Sequence, residues 1–211
     1  MRTRPPTPRA ARRAGGLVLL VGLAVTSAAG ALGAQGQPRA AAARLAPSGL
    51  VYSSASARTI QRQPAPGSCH ARGSGLYERP DPGCDPGAVN PEVTQATISA
   101  TICRSGWTST VRPPESVSEP EKLADLRAYG VGPASRYEYD HIVPLELGGA
   151  VNDPRNLWPE PDYQAPAGFY LNPKDHLESA LRRRVCAGAL TLAQAQRLIA
   201  GDWVSAYARY G

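Results

Sequence analysis

Hydrophobic and polar positions along the chain divide it into three parts. Residues 15–25 (GGLVLLVGLAV) form one short apolar block, flanked by arginines before and by small residues after. From about Gln35 to Gly83 the sequence is rich in Ala, Pro, Gly, Ser and Arg and carries no sustained apolar period, which predicts a flexible linker ordered only near its disulfide. Beyond Asp85 periodicity returns. Asn90-Pro91, followed by Val93, Ala96, Ile98, Ala100 and Ile102, predicts a capped helix, although the spacing also carries some strand character. Trp107 to Arg112 is short, β-branched and bounded by Gly106 and Pro113-Pro114, which predicts a strand. Ser118-Glu119-Pro120-Glu121 has a capping-box pattern and predicts a helix through Leu123 and Leu126, stopping at Gly130.

The second half is patterned more strongly. Arg136 to Leu147 (RYEYDHIVPLEL) predicts a strand broken at Pro144, with a turn at Gly148-Gly149. Asn156-Leu157-Trp158 predicts a second short strand, ended by Pro159 and Pro161. Asn172-Pro173 caps a helix through Leu177, Leu181 and Val185 to Cys186, with Gly188 placed to end it. Thr191 with Gln194 opens a last helix bearing Leu192, Leu198 and Ile199, continuing toward Trp203 and Tyr207. The three tryptophans, Trp107, Trp158 and Trp203, are expected as anchors of the core or its edge. The pattern predicts an α+β domain over residues 85–211, after a linker over 35–84 and a leader over 1–34.

The leader changes how charge is read. The formal net charge is +6, from 23 basic and 17 acidic residues. Arg2, Arg4, Arg9, Arg12 and Arg13 lie in the first thirteen residues, and no acid precedes Glu78. Taking those five away leaves 18 basic residues against 17 acidic, so the chain beyond the leader's arginines is nearly neutral and the global basicity belongs to the leader. Any nucleic-acid surface is therefore a local patch. The positive start, the apolar block and the small residues of TSAAGALGA predict an export signal cleaved after Ala29, Ala31 or Ala34. An uncleaved signal anchor is the alternative. After cleavage no stable membrane association is expected.

Four cysteines follow the leader: Cys69, Cys84, Cys103 and Cys186. An even count in an exported chain favours two disulfides, for which three pairings exist. Cys69–Cys84 closes a short loop, and Cys103–Cys186 staples the start of the domain to its last helices; this pairing is favoured. Neither C-x-x-C nor C-x-x-H spacing occurs, which argues against a zinc cluster.

Chemistry is concentrated near one pair. Of three histidines, His70 lies in the linker, His141 directly follows Asp140, and His176 sits on the predicted helix. Hydrolysing a phosphodiester needs a group that takes a proton from water, which neutral imidazole does near pH 7. It also needs positive charge against the growing charge of the leaving oxygen, and a hard cation on oxygen donors supplies it. Asp140, His141 and an asparagine make such a set. Neighbours on a regular strand face opposite ways, so the pair can share a site only where the strand ends or distorts.

The segment DHIVPLELGG…NLW, followed by a capped helix, resembles the HNH, or His-Me finger, nucleases with their ββα-metal core, over roughly Tyr137 to Cys186. A wider stretch, from PGAVNPEVTQATISATIC to RVCAGALTLAQAQRLIAGDWVSAY, resembles small exported bacterial proteins carrying the same core. The resemblance implies a ββα-metal core embedded in additional helices and a secreted, divalent-metal-dependent endonuclease. The metal would be Mg²⁺, with Mn²⁺ or Zn²⁺ as alternatives, and the substrate DNA before RNA. It implies His141 as general base, Asp140 as metal ligand, and Asn156 as the side chain that holds the loop and orients the histidine. Asn172 is its second metal ligand, with His176, one helical turn on, as the rival. Lys174 and Arg182 are candidate phosphate contacts, each weighed against an ordinary solvated helical cation. Departures from the family are a long spacing between Asn156 and Asn172 and the absence of flanking zinc-binding cysteines. Two other readings stay open: a non-catalytic extracellular module on the same scaffold, and a toxin whose immunity partner is encoded elsewhere.

Overall fold

A computed structural model of the chain describes residues 44–162 and 172–211. The predicted export signal and the segment 163–171 lie outside the described residues. Among them are four α-helices and two two-stranded sheets, an α+β arrangement. In chain order they are β1 (Val51–Tyr52), β2 (Ala88–Val89), α1 (Trp107–Val111), α2 (Glu115–Tyr129), β3 (Tyr137–His141), β4 (Leu157–Pro161), α3 (Pro173–Cys186) and α4 (Leu192–Tyr210). No helix among the described residues is long and apolar enough to cross a membrane.

The strongest sequence signals lie in the second half. Strands β3 and β4 pair antiparallel, with Asp140 opposite Trp158 and His141 opposite Leu157. Asn172 caps α3, its side chain accepting from the Lys174 amide, with Pro173 at the first helical position. Leu177, Leu181 and Val185 recur every four residues on α3, and Leu192, Ala195, Ile199, Trp203 and Ala206 make the matching stripe on α4. The two helices pack along these stripes and share a core with Val89, Val93, Ile102, Val143 and Leu147. Each such fully buried aliphatic side chain stabilises the fold by about 1.5–3 kcal/mol. Thr191 and Gln194 form the expected reciprocal capping box of α4, and the backbone kinks at Asp202. A second cluster joins Ile142 of the β3–β4 connection and Trp158 of β4 to Ala128 and Tyr129 of α2 and to Cys69.

Three elements differ from expectation. Residues 107–111 are helical, not extended, and no strand among the described residues lies alongside. The hydroxyls of Ser109 and Thr110 instead bond the carbonyls of Gly106 (2.7 Å) and Trp107 (2.6 Å). Residues 91–103 form successive turns rather than a helix. Thr97 there accepts from the Thr94 amide (2.8 Å) and donates to the Glu92 carbonyl (2.8 Å), so side chains compete for the backbone. Helix α2 begins at Glu115, one turn before the expected box, since the amides of Val117 and Ser118 already reach the Pro114 carbonyl. Its end at Gly130, with φ of 65°, is as expected.

The segment read as a flexible linker is packed from Arg44 onward. Strand β1 pairs in parallel with β2, the Cys69 amide donates to Ala128 (3.1 Å), and Asn152 donates to the carbonyls of Ser56 (3.1 Å) and Thr59 (2.9 Å). Backbone bonds and isolated anchors hold it, not a core of its own, so no apolar period marks it. Both disulfides form in the favoured pairing, Cys69–Cys84 and Cys103–Cys186.

Candidate functional site

Strand β3 carries Asp140 and His141 to its last position, and alternation persists to the end. Asp140 turns to α3, where Oδ2 meets the Lys174 ammonium. His141 turns to the loop between the strands, where Nε2 lies 3.1 Å from the Val151 carbonyl oxygen. A carbonyl only accepts, so Nε2 carries the proton and Nδ1 the lone pair. Nδ1 has no hydrogen-bond partner among the described residues. Burial, aided by the nearby Arg112 and Lys174 charges, pushes the imidazole down to about 4 against the opposing pull of Asp140 and Val151. It is neutral at pH 7.

Asn156 fixes the loop that holds this imidazole. It is fully buried, and its Oδ1 accepts from the amides of Val143 (2.9 Å) and Ala88 (3.2 Å). Its Nδ2 donates to the carbonyls of Val143 and Ala150, both at 3.0 Å. Every hydrogen-bonding position of the amide is used on backbone. The next residue after Ala150 is Val151, the partner of His141.

On the other side of β3, the first turn of α3 places Lys174 under the strand, 1% exposed. Its ammonium donates to Asp140, to the His141 carbonyl (2.8 Å) and to Glu178 Oε1 (2.6 Å), with Glu160 Oε2 of β4 at 3.4 Å. Burial opposes ionisation throughout this cluster. For Asp140 the Lys174 charge overcomes it and holds the carboxyl at about 2. For Glu160 burial wins, the acid rising well above its usual range, and Glu178 is pushed up to about 8. For Lys174 the surrounding carboxylates outweigh burial and keep it charged.

The residues expected to hold a divalent ion do not fit one as they stand. Asp140 faces an ammonium. The Asn172 carbonyl is spent capping α3, and its amide donates to Glu160. His176 is exposed, in a surface hollow with Arg183, Arg184 and Tyr210. No grouping of three or more His, Cys, Asp or Glu suited to a metal occurs among the described residues. Two expected phosphate contacts also change role. Lys174 is interior, and Arg182 Nε donates to the Ile102 carbonyl (2.8 Å), tying α3 to the turns before α1.

A cleft of about 440 Å³ opens beside Val151, lined also by Ser53, Arg58, Ser109, Thr110 and Arg112. Glu92 is its one acid. Arg58 and Arg112 lie in segments without motif, so nothing in the sequence marks them. Glu160 and Glu178 are likewise absent from the residues the sequence singles out. The four-residue spacing of Lys174 and Glu178 was a usable signal, whereas Glu160, between two prolines, gave none. Comparison of the chain with protein-family models, curated proteins and solved structures finds no match in any of the three.

Proposed function

We propose that the chain is an exported hydrolase of nucleic-acid phosphodiesters, DNA before RNA, with His141 as its general base. The observation that carries this is the fixed tautomer: a neutral imidazole, held through Nε2 by Val151, that keeps an unprotonated Nδ1 at the end of a strand. Such a group takes a proton from water without first losing one of its own. The water oxygen bonds to phosphorus as its proton passes to Nδ1. The bond from phosphorus to the leaving oxygen then breaks, and that oxygen is protonated by solvent. Arg58 and Arg112, on the cleft beside Val151, supply positive charge for the phosphates on either side of the scissile bond. The antiparallel pair β3–β4 followed by α3 agrees in order with the ββα unit that the sequence resembles. Two disulfides suit an oxidising compartment and, with the leader, favour secretion.

A second reading, a non-catalytic extracellular module, is favoured by one specific observation: His141 is only 6% exposed. Nicking of supercoiled plasmid separates the two. The wild-type chain is expected to nick and His141→Ala to lose nicking by two or more orders of magnitude, about what general-base catalysis contributes. The wild-type rate is expected to fall only as pH approaches 4, where His141 protonates. Equal nicking by both proteins, or none by either on DNA and RNA across several divalent ions and in chelator, leaves the module.

A further inference from the structure

We infer that Lys174 is the resident cation of this site, standing where the resemblance calls for a divalent ion, so that the domain assembles around an internal ammonium and binds no divalent ion at Asp140. That this is a catalytic site rests on the hydrolase reading; the ammonium's place among the oxygens rests on geometry alone.

Four oxygens surround one nitrogen: Asp140 Oδ2, the His141 carbonyl, Glu178 Oε1 and, at 3.4 Å, Glu160 Oε2. Carboxylates and a main-chain carbonyl are the donors a hard divalent cation selects. An ammonium has three N–H donors and no acceptor, and here three are spent on the three near oxygens. The local sequence makes this placement. Asn172 caps the helix and Pro173 sets its first turn, which directs Lys174 inward beneath β3, while Glu178 follows one turn later on the same face. The Lys174 side chain is 2% exposed against 15% for Asp140, so an ion reaches the outer edge of Asp140 from solvent but takes the position among all four oxygens only by expelling the ammonium. A divalent ion entering with the lysine in place also meets like charge inside a poorly screened interior.

Lys174 thus joins β3, β4 and α3 at one point, as a structural metal would, without exchange with solvent. With all three donors committed it does not reach substrate. It is a positioning residue, fixing the strand end from which His141 projects.

Calorimetric titration and thermal melting of the purified chain with Mg²⁺ and Mn²⁺ test this. The wild type is expected to show no saturable uptake and the same melting temperature in chelator as in Mn²⁺. Lys174→Ala removes the ammonium and leaves three acids around a void, and it is expected to melt lower and to gain saturable Mn²⁺ uptake. That uptake should disappear when Asp140→Asn is added. Saturable Mn²⁺ binding by the wild type that is lost in Asp140→Asn overturns the inference, as does a folded Lys174→Ala that takes up no Mn²⁺. Should Lys174→Ala fail to fold, the wild-type titration decides alone, by the same criterion. None of these readouts is hydrolysis, so an inactive protein that nonetheless behaves this way refutes the hydrolase and leaves the internal cation standing.

Discussion

Asn156 and His141 act on each other through one residue of backbone. The Asn156 amide bonds the carbonyl of Ala150 (3.0 Å), and the carbonyl of the following residue, Val151, bonds His141 Nε2 (3.1 Å). Loop, tautomer and ring orientation are therefore set together. The truncation Asn156→Ala strands two amides and two carbonyls, of Ala88, Val143 and Ala150, in a dry interior. At about 1–3 kcal/mol for each unsatisfied group, with partial relaxation, a loss of about 3 kcal/mol or more is expected from urea denaturation. The isosteric Asn156→Asp is expected to do no better, because it aims an acceptor at two carbonyls. Recovery of wild-type stability in Asn156→Asp would show that shape, not hydrogen bonding, is what the position supplies.

A second group of buried acids predicts how stability depends on pH. Asp85 receives the Tyr129 hydroxyl on one oxygen, and Asp125, on α2, has no hydrogen-bond partner for either oxygen among the described residues. Burial raises Asp85 to about 8 and Asp125 to about 7. The folded protein thus holds protons that the unfolded chain releases near pH 4, and stability falls as pH rises from there toward 8. Each acid removes up to about 1.4 kcal/mol per pH unit within its window. His141 acts in the opposite sense, its depressed value adding stability as pH rises from 4 to 6.5. Two acids outweigh one imidazole, so the denaturation midpoint is expected to be higher at pH 5 than at pH 8. Asp85→Asn should flatten that slope and raise the midpoint at pH 8. A midpoint that climbs from pH 5 to pH 8 would show that these carboxyls are ionised in the fold.

How much of this was legible beforehand depends on where each signal resides. Helices α3 and α4 were readable because their apolar stripes and caps are local. The capping asparagine at 172, the box at 191 and the four-residue spacing of Leu177, Leu181 and Val185 need no distant partner. Asp140, His141 and Asn156 stand out as candidates because they lie in one compact motif, but the partners each side chain meets are not local. Long-range acts were not readable. That residues 44–84 pack depends on carbonyls meeting Asn152 and on Cys69 meeting Ala128, contacts that leave no period. That 107–111 is helical goes with the lack of a strand partner among the described residues. Lys174 reads from sequence as a phosphate contact or a solvated cation, because a lone helical lysine is nearly always solvated. Its burial is decided by acids at 140 and 160, brought in by the strand pair.

The two disulfides should differ in weight. Cys103–Cys186 spans 83 residues and Cys69–Cys84 spans 15. Loop-closure entropy gives about 4–5 kcal/mol for the first and about 3 kcal/mol for the second. Cys103→Ser with Cys186→Ser is therefore expected to lower the urea midpoint more than Cys69→Ser with Cys84→Ser. The reverse order would mean that Cys69, buried against Ala128 and Trp158, contributes through packing more than through its cross-link.

Gly149 tests whether the loop and the imidazole are one unit. A Cβ built there collides with the Val143 carbonyl, the group that accepts from Asn156 Nδ2, and comes within 2.9 Å of that nitrogen. Both are interior, so neither yields cheaply. Gly149→Ala is expected to cost about 1–3 kcal/mol, the range for overpacking, and to displace Val151 from His141. Gly201 is the control, since a Cβ there meets nothing within 4 Å and the residue lies in α4. Gly201→Ala should be neutral or stabilising by up to about 1 kcal/mol. Titration of the His141 ring followed by NMR supplies a readout that stability alone does not move. If Gly149→Ala frees Nε2 from its carbonyl and opens the ring to water, the imidazole value rises from about 4 toward the ordinary histidine range. A destabilised Gly149→Ala whose imidazole titrates as in the wild type would break the proposed link between the Asn156 lock and His141.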